Sequence, residues 1–362
     1  MSRATTVRLE LEALVHNFQR VRAAAPGRRV AAAVKAEGYG HGLVRVARTL
    51  NADAFAVACS EEALSLREAG ITQPVLLLEG VFEAAEQSLC ARYGLEIAVH
   101  HPEQVRMLEG ARLERPVRVW LKVDTGMHRL GLAPETVAAI FQRLRDCPAV
   151  APTIGLMSHL ARADERQSDY THQQLQAFEN ATSGLPGERS LANSAGILGW
   201  PQTHYDWVRP GIMLYGASPF VDSLAADEDL RPVMTLHTRL IAIKRLRKGD
   251  PVGYGGTWAC PEEMDVGVAA VGYGDGYPRH APSGTPVLVN GREAALLGRV
   301  SMDMISLDLR RHPDARIGDP VVLWGEGLPV ERIAQAAGTI SYTLLCGVTA
   351  RVKREVIPAD GE

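Results

Sequence analysis

Between about residue 30 and residue 215 the chain carries eight short apolar runs, each ended by polar or glycine residues and separated from the next by a helical pattern. The runs lie at residues 30–34, 54–58, 75–78, 96–99, 117–123, 153–158, 190–192 and 207–209. Helical stretches fall between them at 43–50, 60–69, 82–92, 134–145 and 170–182. Strand and helix alternating in this way build a parallel sheet covered by helices. An open doubly wound sheet is the rival to a closed barrel. Eight units, with no G-x-G-x-x-G after the first strand, favour an α/β fold of the (β/α)8 TIM-type barrel class.

The pattern changes after about residue 220. Residues 220–231 are acidic and alanine-rich and resemble a linker. Strand-like runs broken by Gly, Asp and Pro follow at 234–245, 266–272, 286–289, 304–309 and 321–323, which a mostly-β domain accounts for. The expected division is a barrel domain over residues 1–225 and a C-terminal β domain over 226–362. Residues 6–11 alternate in polarity before a helical 12–24, so residues 1–11 are expected to add a strand to the second domain.

A hydrophobic fraction of 46%, a charged fraction of 22% and a formal charge of -3 give no electrostatic reason to bind nucleic acid. No run approaches the roughly 18 apolar residues that span a bilayer, and the first ten residues lack the apolar core of a signal peptide. The five scattered cysteines form no C-x-x-C, which suits reduced thiols in a cytoplasm. The eleven histidines show no metal-ligand spacing; the pair His100-His101, before Pro102, is expected in a loop.

In a β/α barrel the active site lies at the C-terminal ends of the strands, so the polar residues just after each run matter most. They include Lys35 and Tyr39, Lys122 and Asp124 leading to Arg129, Ser158 and His159, Asn193 and Ser194, then Arg209, Gly211 and Ile212. Burial would lower the proton affinity of Lys35, and a neutral amine condenses with an aldehyde. Ser194 opens a helical stretch and Gly211-Ile212 supplies small-residue backbone; N–H groups there suit a phosphate near strands seven and eight. Blander readings stand beside these. Lys35 could be an ordinary strand-end lysine, His159 a satisfied core histidine, Ser194 an N-cap, and Arg129 and Arg209 partners of nearby acids. Lys122 alternates with Leu121 and Val123 and is expected to point into the barrel, where a bare ammonium is costly.

A lysine on the first strand with a phosphate cup on the last two is the layout of a pyridoxal phosphate enzyme. The segments AVKAEGYGHG (33–42), LKVDTGMHRLG (121–131), VRPGIMLYG (208–216) and GRVSMD (298–303) resemble the alanine racemase family, in the family's order over essentially the whole chain. The resemblance implies a pyridoxal 5'-phosphate-dependent isomerase acting on alanine, a β/α barrel with a C-terminal β domain, and a head-to-tail homodimer with shared active sites. Lys35 would hold the cofactor and act as one acid/base. Tyr254, in VGYGGT (252–257), would be the second and come from the other subunit. Tyr39, Ser194, Gly211, Ile212 and Tyr342 would serve the phosphate. His159 would lie by the ring and interact with the tyrosine base, and Arg209 would face the pyridine nitrogen. Arg129 would meet the substrate carboxylate and the Met302 backbone the substrate side. Tyr273 would narrow the entrance, Asp303 would support the site, and Lys122 would carry a carbamate that braces Arg129. Without the resemblance, Tyr254 reads as an aromatic in a glycine turn.

Racemisation removes a proton from one face of Cα and returns one to the other, so two groups on opposite faces suffice. Lysine and tyrosine are deprotonated in under roughly one part in a thousand at pH 7, and activating either costs about 4 kcal/mol unless neighbours help. A cation nearby favours phenolate, which makes His159 and Arg209 candidate helpers. Glu37-Gly38 and Ser301 stand where relatives often carry Asp-Ala and Cys; none removes a group needed for proton transfer. The rival functions are a broad-spectrum amino-acid racemase, a decarboxylase of the same fold type, and a cofactor-binding carrier without turnover.

Overall fold

The computed structural model describes residues 3–359, and the chain divides into two compact units. One unit comprises Asn17–Leu214 and Pro219–Ser223; the other comprises Met1–His16, Tyr215–Ser218 and Leu224–Glu362.

The first unit is a closed parallel barrel. Its strands are β2 (Arg29–Ala33), β3 (Ala54–Val57), β4 (Val75–Leu77), β5 (Leu95–Val99), β6 (Val117–Lys122), β7 (Val150–Met157), β8 (Arg189–Ser190) and β9 (Trp207–Val208). Val30 pairs with Val208 to close the ring. Every residue of β3, β4 and β5 is buried, because helices cover the outside while side chains fill the inside.

Period-two alternation explains how the interior is layered. Ala31, Ala54, Leu76, Ala98, Trp120, Met157 and Trp207 form one buried cluster. The two indoles meet edge to face at 6.1 Å, and the alanines of the other strands leave room for them. Gly155 is part of this fit, since a Cβ there would lie 2.3 Å from the Trp120 ring. Below the plug, Trp120 Nε1 donates to Glu96 at 2.6 Å and Trp207 Nε1 to Glu188 at 2.9 Å, and Arg29 and Arg118 both pair with Glu188. Two residues above it on the same strand faces come Lys122, His159 and Arg209. The alternation that closes the floor with apolar and paired groups therefore raises basic side chains at the opposite mouth.

The pair His100-His101 lies, as expected, in a connection, between β5 and the next helix. His101 is the N-cap of a helix, Pro102–Gly110, with its ring accepting from the Glu103 N–H at 3.2 Å, and His100 Nε2 contacts the Glu79 carbonyl at 2.9 Å. His101 thus caps a helix whose apolar face, Val105 and Leu108, is too short to stand out in the sequence.

In the second unit an eight-stranded sheet has the order β13-β16-β15-β14-β17-β10-β1-β18. Its members are β1 (Thr6–Glu10), β10 (Met234–Leu246), β13 (Met264–Ala269), β14 (Pro286–Val289), β15 (Arg292–Leu297), β16 (Ile305–Asp308), β17 (Pro320–Trp324) and β18 (Lys353–Ile357). β1 lies antiparallel to β10 and parallel to β18. The thirteen-residue β10 also pairs with β17 and, past an irregularity between Leu240 and Ala242, with β13. A separate two-stranded ribbon joins β11 (Pro251–Val252) to β12 (Trp258–Ala259). The linker-like stretch is anchored. The Glu331 carboxylate accepts from Ser218 N–H at 2.7 Å and Ala225 N–H at 3.0 Å, and Ala225 and Leu230 are buried.

Candidate active site

At the barrel mouth the chain leaves β2 through a left-handed turn. Ala36, Glu37 and Gly38 have φ of 53°, 57° and 59°, and Tyr39 follows at 51°. Left-handed geometry costs a non-glycine residue roughly 1–2 kcal/mol, so such a run persists only where its surroundings hold it. Here Ala36 N–H donates to Glu62 at 2.7 Å, Gly38 N–H to Val34 O at 2.8 Å and Gly42 N–H to Glu37 O at 2.8 Å. The turn brings the Tyr39 ring, which is buried, back beside Gly211. A Cβ on Gly211 would lie 2.5 Å from the Tyr39 hydroxyl, so glycine is required for that approach. Lys35 starts the turn and is half-buried, between the buried amine and the solvent-reaching lysine that the sequence left open.

Ser194 is not the cap of its helix, Ser194–Gly199. Asn193 performs that role, accepting from Gly196 N–H at 3.0 Å. This frees the Ser194 hydroxyl to accept from Gly211 N–H at 2.8 Å and Met213 N–H at 3.4 Å, tying the ends of β8 and β9 together. Ile212 is buried directly beyond Gly211.

Arg209 is buried and donates to neutral acceptors: the Ser190 hydroxyl, Ser158 O at 2.5 Å and Leu191 O at 3.3 Å. Burial lowers its proton affinity to about 10, which leaves it charged at neutral pH. Lys122, 6% exposed, is the deeply buried lysine of the site. Burial, then the charges of Arg209, Arg129 and Lys35, bring it down to about 8, with Glu79 opposing weakly. Burial and the same cations hold His159 well below the usual imidazole range. His159 is therefore neutral at pH 7 and does not serve as a cation; the positive charge at this point is Arg209.

Arg129 is exposed on a loop organised by Asp124. Burial disfavours the Asp124 carboxylate, but N–H donors from Gly126 and His128, both at 3.0 Å, outweigh it and keep the group below its ordinary range. Lys122, Arg129 and His159 line one small pocket with Asp124, Met127 and Ser158. Two contributors escaped the sequence reading. Glu79, just past β4, is the acid that acts on Lys122, and it follows an apolar run as the other mouth residues do. Gln174, fully buried, donates to His159 O at 3.1 Å and Thr125 Oγ1 at 3.3 Å; its signal is a lone amide on the apolar face of the helix Tyr170–Thr182.

The second unit holds the remaining candidates. Tyr254 stands at the tip of the β11–β12 ribbon, in a turn whose Gly253, Gly255 and Gly256 all have positive φ, and is 68% exposed. Tyr273 and Met302 come together because Tyr273 N–H donates to Ser301 O at 3.1 Å and Gly274 N–H to Met302 O at 2.9 Å. Asp303 pairs with Arg351 at 2.7 Å. Tyr342 is the second residue of the helix Ser341–Cys346 and is partly exposed.

The barrel mouth suits anions. Four cations, Arg209, Arg129, Lys122 and Lys35, act on His159, and no carboxylate is among its main influences. A phosphate ester and a carboxylate would balance that surplus, and the Tyr39, Ser194 and Gly211 cluster provides hydroxyl and N–H groups where a Cβ would intrude. Among the described residues no cluster of His, Cys, Asp and Glu could hold a metal ion, and no helix is long and apolar enough to cross a membrane.

Residues 9–219 match the family model for the alanine racemase N-terminal domain, and residues 233–356 that for the C-terminal domain. An alanine racemase from Nitrosococcus oceani is 59% identical over 348 residues, 96% of this chain and 97% of that protein. A biosynthetic alanine racemase from Escherichia coli (strain K12) is 53% identical, covering 98% of this chain and 99% of that one. The crystal structure of biosynthetic alanine racemase from Pseudomonas aeruginosa superposes with a TM-score of 0.96 at 47% identity, over 98% of this chain and 100% of that one.

Proposed function

The chain belongs to the alanine racemase family, and from that premise we propose that it interconverts L- and D-alanine with pyridoxal 5'-phosphate by a two-base mechanism using Lys35 and Tyr254. The observation that carries the reading is the cation-rich barrel mouth that opens above Trp120 and Trp207. The bound cofactor supplies the electron-withdrawing system that makes the Cα proton removable. Tyr39, Ser194, Gly211, Ile212 and Tyr342 would hold its phosphate, Arg209 would lie beside its ring, and the Lys35 amine would be its point of attachment.

The chain's own groups then divide the work. Arg129 pairs with the substrate carboxylate, which fixes which Cα face meets each base. Lys35 Nζ carries the proton on one face and the Tyr254 hydroxyl on the other. Arg209 lowers the cost of forming phenolate, and neutral His159 orients the phenol by hydrogen bonding. The Met302 backbone flanks the substrate side and Tyr273, from the partner chain, narrows the entrance, with Asp303 in support. Tyr254, so exposed in one subunit, makes sense as a base when a second subunit covers it; the homodimer with shared sites rests on this and on the family.

Lys122 fits a carbamate. Half of its amine is unprotonated near pH 8, and that neutral form adds carbon dioxide with release of one proton; counted from the ammonium, two protons leave, and a cation among cations becomes an anion that braces Arg129. Lys122→Ala is expected to raise KM for alanine and reduce kcat/KM by roughly tenfold, about 1.4 kcal/mol, because the exposed Arg129 loses the anion that braces it. Acetate should restore part of the loss by supplying the missing carboxylate. Steady-state kinetics with and without acetate decide this, and an unchanged KM would leave Lys122 without a bracing role.

Supply of D-alanine for peptidoglycan is the favoured role, because relatives of this chain are named biosynthetic. The scattered cysteines, with no C-x-x-C among them, suit a reducing cytoplasm. A broad-spectrum racemase is the second reading, motivated by Ser301 where relatives often carry cysteine. The test is proton NMR of L-alanine with the enzyme and pyridoxal phosphate in heavy water, followed by chiral analysis. Loss of the Cα proton signal with appearance of D-alanine supports racemisation; a persistent signal removes alanine as substrate.

A further inference from the structure

A fully buried carboxylate lies behind the two loops that carry Tyr273 and Met302. Asp275 has a side chain with 0% exposure, yet it is held by two arginines from distant parts of the chain. Arg3 Nη2 donates to Oδ2 at 2.6 Å and Arg351 Nε to Oδ1 at 2.8 Å. Oδ2 also accepts from Gly272 N–H at 2.9 Å, so the carboxylate closes the 3-10 turn Tyr273–Asp275 on itself. The arginines continue into the other loop. Arg351 Nη2 reaches Asp303 Oδ1 at 2.7 Å and Met302 O at 3.3 Å, and Arg3 donates to Asp303 O at 3.1 Å. The space is filled: a Cβ on Gly274 would lie 2.8 Å from Arg351 Nη2, and one on Gly272 would lie 2.2 Å from Ser301 O.

A buried carboxylate is costly unless its partners are fixed, and fixed partners make it a rigid joint. This joint locks the Tyr273 turn to the Met302 loop while touching neither side chain. We propose that Asp275, with Arg351, is a positioning residue that sets the spacing of Tyr273 and Met302 and through it the size of side chain the site accepts. The proposal rests on the reading of those two residues as flanking the substrate. Loosening the joint admits a larger side chain and weakens the hold on alanine. It leaves Lys35 and Tyr254 in place, so the change falls on KM and selectivity more than on kcat.

The test compares kcat/KM for L-serine and L-alanine in the intact holoenzyme, with melting temperatures recorded in parallel. The ratio is informative because a variant that merely unfolds more loses both activities by the same factor. Arg351→Met is the first variant, since Arg351 is 38% exposed and its loss is better tolerated than that of Asp275. It is expected to shift the ratio toward serine by roughly tenfold, on the scale at which pockets discriminate one small substituent, and Arg351→Lys to recover much of the shift. Asp275→Asn should act in the same direction with a larger fall in melting temperature. An unchanged ratio in Arg351→Met and Asp275→Asn, alongside a changed ratio in Met302→Ala and Tyr273→Ala, overturns the positioning role alone. If the direct truncations also leave the ratio unchanged, the loops do not flank the substrate and both readings fall.

Discussion

Replacing Lys35 with alanine is expected to abolish racemisation while leaving the barrel folded. Lys35 carries two duties in the proposed mechanism, the covalent hold on the cofactor and the proton on one face of Cα, so its loss should exceed that of a single acid/base group, which is worth roughly a hundred- to ten-thousandfold. Its half-buried position makes truncation cheap for the fold, because little apolar contact is lost and no buried partner charge is orphaned. Turnover should therefore vanish at an almost unchanged melting temperature. The check is chiral analysis of product together with thermal unfolding. Substantial D-alanine formation by a folded Lys35→Ala enzyme would remove Lys35 from the chemistry.

Mixing inactive Lys35→Ala chains with inactive Tyr254→Phe chains is expected to restore racemisation through hybrid dimers. If each site takes its lysine from one subunit and its tyrosine from the other, a hybrid has one doubly defective site and one intact site. Random reassortment of equal amounts then leaves about a quarter of all sites active. Tyr254→Phe keeps the ring and removes only the hydroxyl. Since the ribbon tip leaves Tyr254 exposed, the change should cost little stability. That variant alone has a second signature: exchange of the Cα proton should persist for one enantiomer, because one face still meets Lys35, while conversion to the other enantiomer falls. The measurement combines activity of the mixture, after subunit exchange, with deuterium incorporation into each enantiomer. No recovery in demonstrably mixed dimers would place both groups in one chain's site or remove Tyr254 from the reaction.

The barrel was legible because its signal is local. A run such as residues 54–58 reads as a strand, and the observed β3, Ala54–Val57, departs from it by one residue. The helix Tyr170–Thr182 and the strand Pro286–Val289 occur where the pattern puts them. The weakest signals came from short or late elements. β8 is two residues long, the strands Arg292–Leu297 and Lys353–Ile357 carry charges that mask their alternation, and the helix that His101 caps was hidden behind a histidine pair. Strand-end position brought Lys35, Lys122, His159 and Arg209 to notice, since the same period-two alternation that buries Trp120 and Trp207 points their successors into the mouth.

The order of strands, the closure of the barrel and the identity of the polar residues at its mouth follow from the chain itself, because apolar periodicity and residue type are properties of neighbours in sequence. What each of those groups is chemically was decided only by the tertiary structure. His159 is neutral because burial, and then cations from several other strands and loops, disfavour its charged form, Lys122 has lost proton affinity because burial removes its water, and Asp275 is a joint because Arg3 and Arg351 meet it from opposite ends of the chain. Burial and electrostatic potential are sums over groups brought together by folding, and no stretch of sequence carries that sum.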